Sequence, residues 1–298
     1  MLKKTFVPII PLVIPIVIGI GMIGCSDDTP TISVNPTLKF TEGDEFTYDY
    51  YDRNETNVRL DASKQVVVWT ALRTDLDTLN RRGVTEFEEV RYEADGTTEI
   101  SRSKFYMIAD EQGKLLFHNL PQVMMSLFQT VRLNLSSLID EIPDTWTQIS
   151  DTKSPSPLTW SRTQSKGVVE NATITFNGIP ITTDIEMQIG VDSEHAGRVS
   201  TTVTAGTYDR AFSTTTHVLV KLIAASDIAI DAPPITIPKG QVIVDDSLSI
   251  EYHVDLEAGI LQQIIDSETV KTIYHLNVPV NGSEMELTSF TRAATEEG

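Results

Sequence analysis

Apolar and polar residues alternate with a period of two along most of this chain, and that pattern, rich in β-branched residues, describes strands. In DEFTYDYY (44–51), Phe46, Tyr48 and Tyr50 share one face and read as core. ASKQVVVWTALRT (62–74), VTEFEEVRYEA (84–94), TTEISRSKFYMIA (97–109) and KLLFH (114–118) follow. Asp95-Gly96 between the third and fourth of these segments is a strong hairpin dipeptide, and Glu111-Gln112-Gly113 marks a second turn. SDTKSPSPLTW (150–160) reads as a loop seam, after which the same alternation resumes at VVENATITF (168–176), IPITTDIEMQIGV (179–191), RVSTTVTA (198–205) and AFSTTTHVLVKLIA (211–224). A Pro-rich excursion (227–240) precedes VIVDDSLSIEYHVDL (242–256), GILQQIID (259–266), VKTIYHLNV (270–278) and EMELTSFTR (284–292).

One stretch breaks the period. After Pro121, which suits the first turn of a helix, Met124, Phe128, Val131, Leu135, Leu138 and Ile142 recur every three or four residues until Pro143 stops them. The expected fold is therefore mainly β, a curved antiparallel meander resembling a half-barrel, with one central α-helix over 121–142. Met124, Met125, Leu127 and Phe128 on that helix are the candidate lining of an apolar ligand groove, set against the plainer reading of a core stripe.

The single cysteine has a different explanation. Lys3 and Lys4 precede an apolar block (6–23), the layout of a secretory signal, and the block ends in Met22-Ile23-Gly24-Cys25. That ending resembles the bacterial lipobox. The resemblance implies that the Cys25 thiolate accepts a diacylglycerol, that the chain is cut behind Gly24, and that the new terminus is acylated. Several acyl chains anchor stably, since each buried CH₂ contributes about 0.8 kcal/mol. An uncleaved membrane helix is the rival, weakened by Pro8, Pro11 and Pro15, each of which removes a helix hydrogen bond. Ser26, Asp27 and Asp28 resemble an export signal of surface lipoproteins and also suit a solvated tether. The expected organisation is a signal peptide (1–24), a tether (25–40), one mainly-β domain (41–292) in two halves (41–150 and 155–292), and a frayed tail (293–298).

Charge narrows the partners. The chain carries a net charge of -19, and loss of Lys3 and Lys4 with no acidic residue takes the mature chain to -21. Nucleic acid is excluded as a partner, because phosphate contacts need clustered Lys and Arg. A membrane reached through the lipid anchor, a hydrophobic ligand and a protein partner remain. With Cys25 acylated no disulfide forms, and the core alone must hold the exported domain together.

The sequence offers little catalytic chemistry. His118, His195, His217, His253 and His275 form no metal-ligand spacing, so no metal and no cofactor are expected. Ser101 to Lys104 and Ser150 to Lys153 have Ser-x-x-Lys spacing, but neither serine starts a helix as the nucleophilic version requires. Asp75-Leu76-Asp77 with Asn80 lacks the glycine and distal glutamate of a calcium loop and reads as a solvated acidic loop.

A wider resemblance rests on Ala205-Gly206-Thr207-Tyr208, then Tyr252, Val254, Gly259, Ile260 and Leu261. This pattern resembles bacterial envelope lipoproteins built as curved antiparallel half-barrels, with His253 and the prolines of 233–238 departing from it. The resemblance spans 44–266 and implies a sheet wrapped around a helix, similar to carriers that shelter acyl chains. On the residues alone, Gly206 and Gly259 supply turns or bulges that let a sheet bend. The expected role is a non-enzymatic, lipid-anchored envelope protein of the outer membrane that binds a hydrophobic ligand or serves in assembly. The alternatives are a structural or partner-binding surface lipoprotein and an envelope-polymer hydrolase.

Overall fold

The computed structural model describes residues 38–118, 146–154, 157–176, 179–231, 234–266, 268–271 and 277–294. They belong to one compact unit, 36–298. Sixteen strands are present among them, and the only helical element is a single 3-10 turn, Asp61–Ser63.

The first half runs β1 (Glu45–Arg53), β2 (Gln65–Thr78), β3 (Arg81–Glu93), β4 (Glu99–Ala109), β5 (Lys114–Phe117) and β6 (Thr147–Asp151), each paired antiparallel with the next. The second half runs β7 (Leu158–Phe176), β8 (Ile179–Val203), β9 (Gly206–Ala224), β12 (Val242–Asp255), β13 (Gly259–Ile265) and β16 (Gly282–Thr291). Two small hairpins interrupt it, β10 (Ile228–Asp231) with β11 (Pro234–Ile237), and β14 (Glu268–Lys271) with β15 (Asn277–Val280). β1 pairs with β16, so both halves form one antiparallel sheet of twelve strands in the order β6-β5-β4-β3-β2-β1-β16-β13-β12-β9-β8-β7. The chain starts mid-sheet, meanders to one edge, crosses to the other and meanders back.

That crossing forces curvature. A flat sheet of twelve strands spaced about 4.8 Å apart would hold its edges about 50 Å apart. From Asp151, the end of β6, to Leu158, the start of β7, is seven residue steps, a reach of about 25 Å at most. The sheet must curl until its edges approach, and β6 indeed lies against β8, β9 and β12. The result is an open, curved antiparallel sheet, as expected.

The concave face carries one continuous apolar cluster. In the first half Phe87 and Phe105, cross-strand partners, stack with centroids 5.0 Å apart, Phe105 meets Trp69 at 4.7 Å, and Trp69 meets Tyr48 at 4.6 Å. Such aromatic pairs stabilise beyond the area they bury. The second half continues the cluster with Ile185, Met187, Ile189, Val220, Tyr252 and Leu261, all buried. Phe46 and Tyr48 sit in this core with Tyr50 packed against it, as their alternation predicts. On the convex face, Arg73 and Lys104 from β2 and β4 both bond the buried Glu86 of β3.

Five expectations need correction. Leu38 and Phe40 are buried core residues, so the tether expected over 25–40 ends sooner. The loop seam is shorter than 150–160: Ser150 and Asp151 end β6, and Leu158 already pairs in β7. The Pro-rich excursion is a hairpin, with Pro234 tolerated because it opens an edge strand. Asp75 to Asp77 lie in the bulged end of β2, with Asp75 at φ 55°, and the turn is at Leu79-Asn80. The helix expected over 121–142 lies outside the described residues, which contain no α-helix, so the sheet is the part of the expected fold that is shown. Ala293, placed in the frayed tail, donates its N–H to Asp44 at 2.9 Å.

Two turns show how sequence sets the hairpins. Asp95 accepts from the Thr97 and Thr98 N–H groups, which holds its carboxyl at about 2, and Gly96 takes φ +69°. Gly259, at φ +75°, opens β13, and a Cβ there would lie 3.5 Å from the Phe46 ring. That contact is ordinary, so the cost of a side chain is backbone strain. Gly259→Ala is expected to lower stability by about 1–2 kcal/mol in urea unfolding. Gly167→Ala, at ordinary φ with open space around it, should stay within about 0.5 kcal/mol of the parent.

Candidate functional site

Polar side chains gather in three places on the sheet. Inside the first half, the indole N–H of Trp69 donates to Glu89 at 2.9 Å. Arg91 bonds the same carboxylate at 2.7 Å and lies 4.8 Å from the centre of the Tyr50 ring. This carboxylate and guanidinium satisfy each other.

The second place is on the concave face of β8 and β9. The odd-numbered run Ile185, Met187, Ile189 and Val191 points inward, and the same period carries Ser193 and His195 inward after it. Both are buried and partnered. Ser193 meets the Thr216 hydroxyl at 3.1 Å, and His195 Nδ1 meets the Thr214 hydroxyl at 2.9 Å. His195 Nε2 lies 2.9 Å from the Ser154 carbonyl, which can only accept, so Nε2 carries the proton and Nδ1 accepts from Thr214. This histidine thereby fastens the β6–β7 connector to the inside of β8. The sequence reading did not single out His195. The signal that could have found it was the unbroken period from Ile185.

The third place is on the other face of β12, where Glu251 and His253 alternate with the buried Tyr252 and Val254. His253 Nε2 donates to Glu251 Oε1 at 2.8 Å, and its Nδ1 lies 2.8 Å from the Thr201 hydroxyl on β8. The Ser213 hydroxyl, from β9, reaches the same Glu251 oxygen at 3.3 Å. The hydrogen bond from His253 holds the Glu251 carboxyl below its ordinary value, with Ser213 and the charge of Arg53 adding to the effect. Hydroxyl, imidazole and carboxylate are thus in line, the order a nucleophile relay requires.

Accessibility separates this arrangement from a relay that works. Thr201, the residue in the nucleophile's place, is 4% exposed, so a polymer substrate has no approach to its hydroxyl. The arrangement ties three strands together, β8 through Thr201, β9 through Ser213 and β12 through Glu251 and His253. His217 is engaged elsewhere, at 3.0 Å from the Ser249 hydroxyl, and His118 stacks edge-on against Trp146 with centroids 5.1 Å apart. Among the described residues no group of three metal-ligating side chains converges. The Ser-x-x-Lys pairs are not brought into use either: Lys104 bonds Glu86, and Lys153 bonds the Glu111 carbonyl.

Of the residues singled out by sequence, Gly206 and Gly259 are described, at the β8–β9 turn (φ +148°) and at the start of β13. Met22, Ile23, Gly24, Cys25, Met124, Met125, Leu127, Phe128 and His275 lie outside the described residues.

No family model matches the chain, and no curated protein matches it. Among solved structures, a protein from Bacteroides fragilis NCTC 9343, regarded as exported and having a YmcC-like fold, is similar over 86% of this chain and 99% of its own. Its identity is 8% and its TM-score 0.37, a likeness too remote to carry an argument about this chain.

The Glu251 pair yields a pH dependence. A carboxyl held lower in the folded than in the unfolded chain adds stability above its ordinary value of 4.5, and that stability is lost as pH falls through the folded value. Glu251→Gln is expected to cost about 0.5–1 kcal/mol at pH 7, since the pair is partly open to water, and to lose less stability than the parent between pH 5 and about 3. Urea midpoints at stepped pH measure both.

Proposed function

We propose that this chain is a non-enzymatic, lipid-anchored protein of the bacterial envelope with an assembly role. The lipobox-like ending at Cys25 supports the anchor: cleavage behind Gly24 and acylation of Cys25 would tether the sheet to the outer membrane. The observation that carries the assembly role is the filling of the concave face. Its aromatic and aliphatic side chains, Phe87 and Tyr252 among them at 0% exposure, form one buried cluster. A carrier of acyl chains needs open apolar surface, and among the described residues of this face the apolar side chains are packed against one another. The surface left for partners carries the net negative charge, which suits a basic or self-complementary protein partner more than an anionic one.

The hydrolase reading is the weaker one. It needs two histidines and a carboxylate converging in a cleft, whereas His195, His217 and His253 each bond hydroxyls or a carboxylate of their own.

Intact mass of the protein purified from a bacterial membrane in mild detergent tests this. The expected species begins at an acylated Cys25, with no lipid extracted beyond the anchor and detergent. A stoichiometric bound lipid would overturn the assembly role in favour of the carrier, and a chain still beginning at Met1 would overturn the anchor.

A further inference from the structure

The two edge strands turn polar side chains toward an otherwise apolar interior. On β6, Thr147 stands across the ladder from Phe117 and Ser150 from Leu115, both core residues, so each faces inward. Residues three apart in a regular strand face opposite ways. Here the bulge opposite Leu115 and Leu116 makes Ile149 the extra residue and brings Ser150 round to the core. On β7, Trp160 stands across from the inward Ser193, and its ring lies 5.9 Å from that of His195.

The hydroxyls of Thr147 and Ser150 and the indole N–H of Trp160 are shielded from solvent and have no hydrogen-bond partner among the described residues. Thr147 is 3% exposed and Ser150 0%. A buried polar group left unsatisfied forfeits the bonds it makes in the unfolded chain, so folded proteins supply partners for nearly all of them. β6 has a further deficit: it ends the strand order, so its side turned away from β5 has no ladder partner, yet it lies against β8, β9 and β12.

The chemistry of these groups defines what they bind. An indole N–H only donates, so its partner accepts, whereas a hydroxyl does both. The carboxylates buried among the described residues, Asp44 and Glu86, are paired with Arg292 and with Arg73 and Lys104, which leaves no buried charge to hold an ion. The partner is therefore small, neutral, and both donor and acceptor. The Ser193 and Thr216 hydroxyls, bonded to each other at 3.1 Å, spend one of their two protons on that bond and keep the other for the same network.

We propose that the inner face of β6 and β7 binds ordered water at Thr147, Ser150 and Trp160, as a built part of the fold. Buried water makes about three hydrogen bonds and is costly to remove. The core is then dry at its aromatic centre and hydrated along its edge strands. The proposal stands on described strands alone and holds whether or not Cys25 carries lipid.

The test is nuclear magnetic resonance of the full-length chain in mild detergent, with tryptophan labelled at the indole nitrogen. The Trp160 indole proton, assigned by its loss in Trp160→Phe, is expected to show a direct dipolar cross peak to long-lived water. The Trp69 indole, whose proton goes to Glu89, is the control and should show none. Thr147→Val, close in shape, supplies the second reading. With water bound to the hydroxyl, its loss strands that water and lowers the urea midpoint by about 0.3 M or more. With the hydroxyl dry, removing it leaves the midpoint unchanged or raises it. The proposal is overturned by a Trp160 indole with no water cross peak beyond that of Trp69, or by a Thr147→Val midpoint that holds or rises. A small organic molecule released one per chain on denaturation, in place of water, overturns it as well.

Discussion

The two halves of this sheet meet along the β1–β16 pairing, and a buried ion pair sits at the end of that seam. Asp44, 0% exposed, takes hydrogen bonds from the N–H groups of Thr41 and Ala293 and an ion pair from Arg292. Arg292 also donates to the Lys39 and Glu257 carbonyls and lies 5.2 Å from the centre of the Phe46 ring. One guanidinium thus ties the entry to β1, the end of β16 and the β12–β13 turn. Removing Arg292 would leave the buried Asp44 carboxylate without its countercharge, typically a cost of about 3–5 kcal/mol. This node sits at the end of the ladder by which the chain's first and last strands close the meander.

Closure at the seam and crossing at the edges are two sides of one constraint. A short connector joins opposite edges of a twelve-stranded sheet, so the sheet curls, β6 is drawn against β8 and β9, and the concave face fills with the side chains of both halves. The His195 bond to the Ser154 carbonyl holds the connector where the curl needs it. Curvature also decides what is left for function. Among the described residues the inward face is committed to folding, and a second, smaller buried cluster of Val84, Ile108 and Trp146 lies apart from it.

Much of the strand content was legible because period-two alternation follows directly from the pleat, and Asp95-Gly96 named its own turn. What escaped was long-range or small. Leu38 and Phe40 look like tether because only two apolar residues mark them, and Phe40 packs edge-on against Phe46 of β1 and Phe87 of β3, the latter far along the chain. The Pro-rich hairpin was missed because Pro234 argues against a strand wherever the strand is central, and this one is not. His253 was read as one of five scattered histidines and as a departure from an aromatic, since its bonds to Thr201, 52 residues away, and to Glu251 depend on strand order, which alternation does not encode. The groove residues Met124 to Phe128 and the anchor at Cys25 rest on sequence alone.

The central claim is that both meanders form one cooperative sheet, joined through Asp44 and Arg292. The chain's tryptophans divide usefully between the halves, with Trp69 and Trp146 in the first and Trp160 in the second. Two full-length variants, one keeping only Trp69 and one keeping only Trp160, with Phe at the other positions, report the halves separately in urea unfolding. The account predicts coincident midpoints in both variants and an equal shift of both when Arg292→Met is added. Separate midpoints, or a shift confined to one half, would show two independently folding sheets and contradict it.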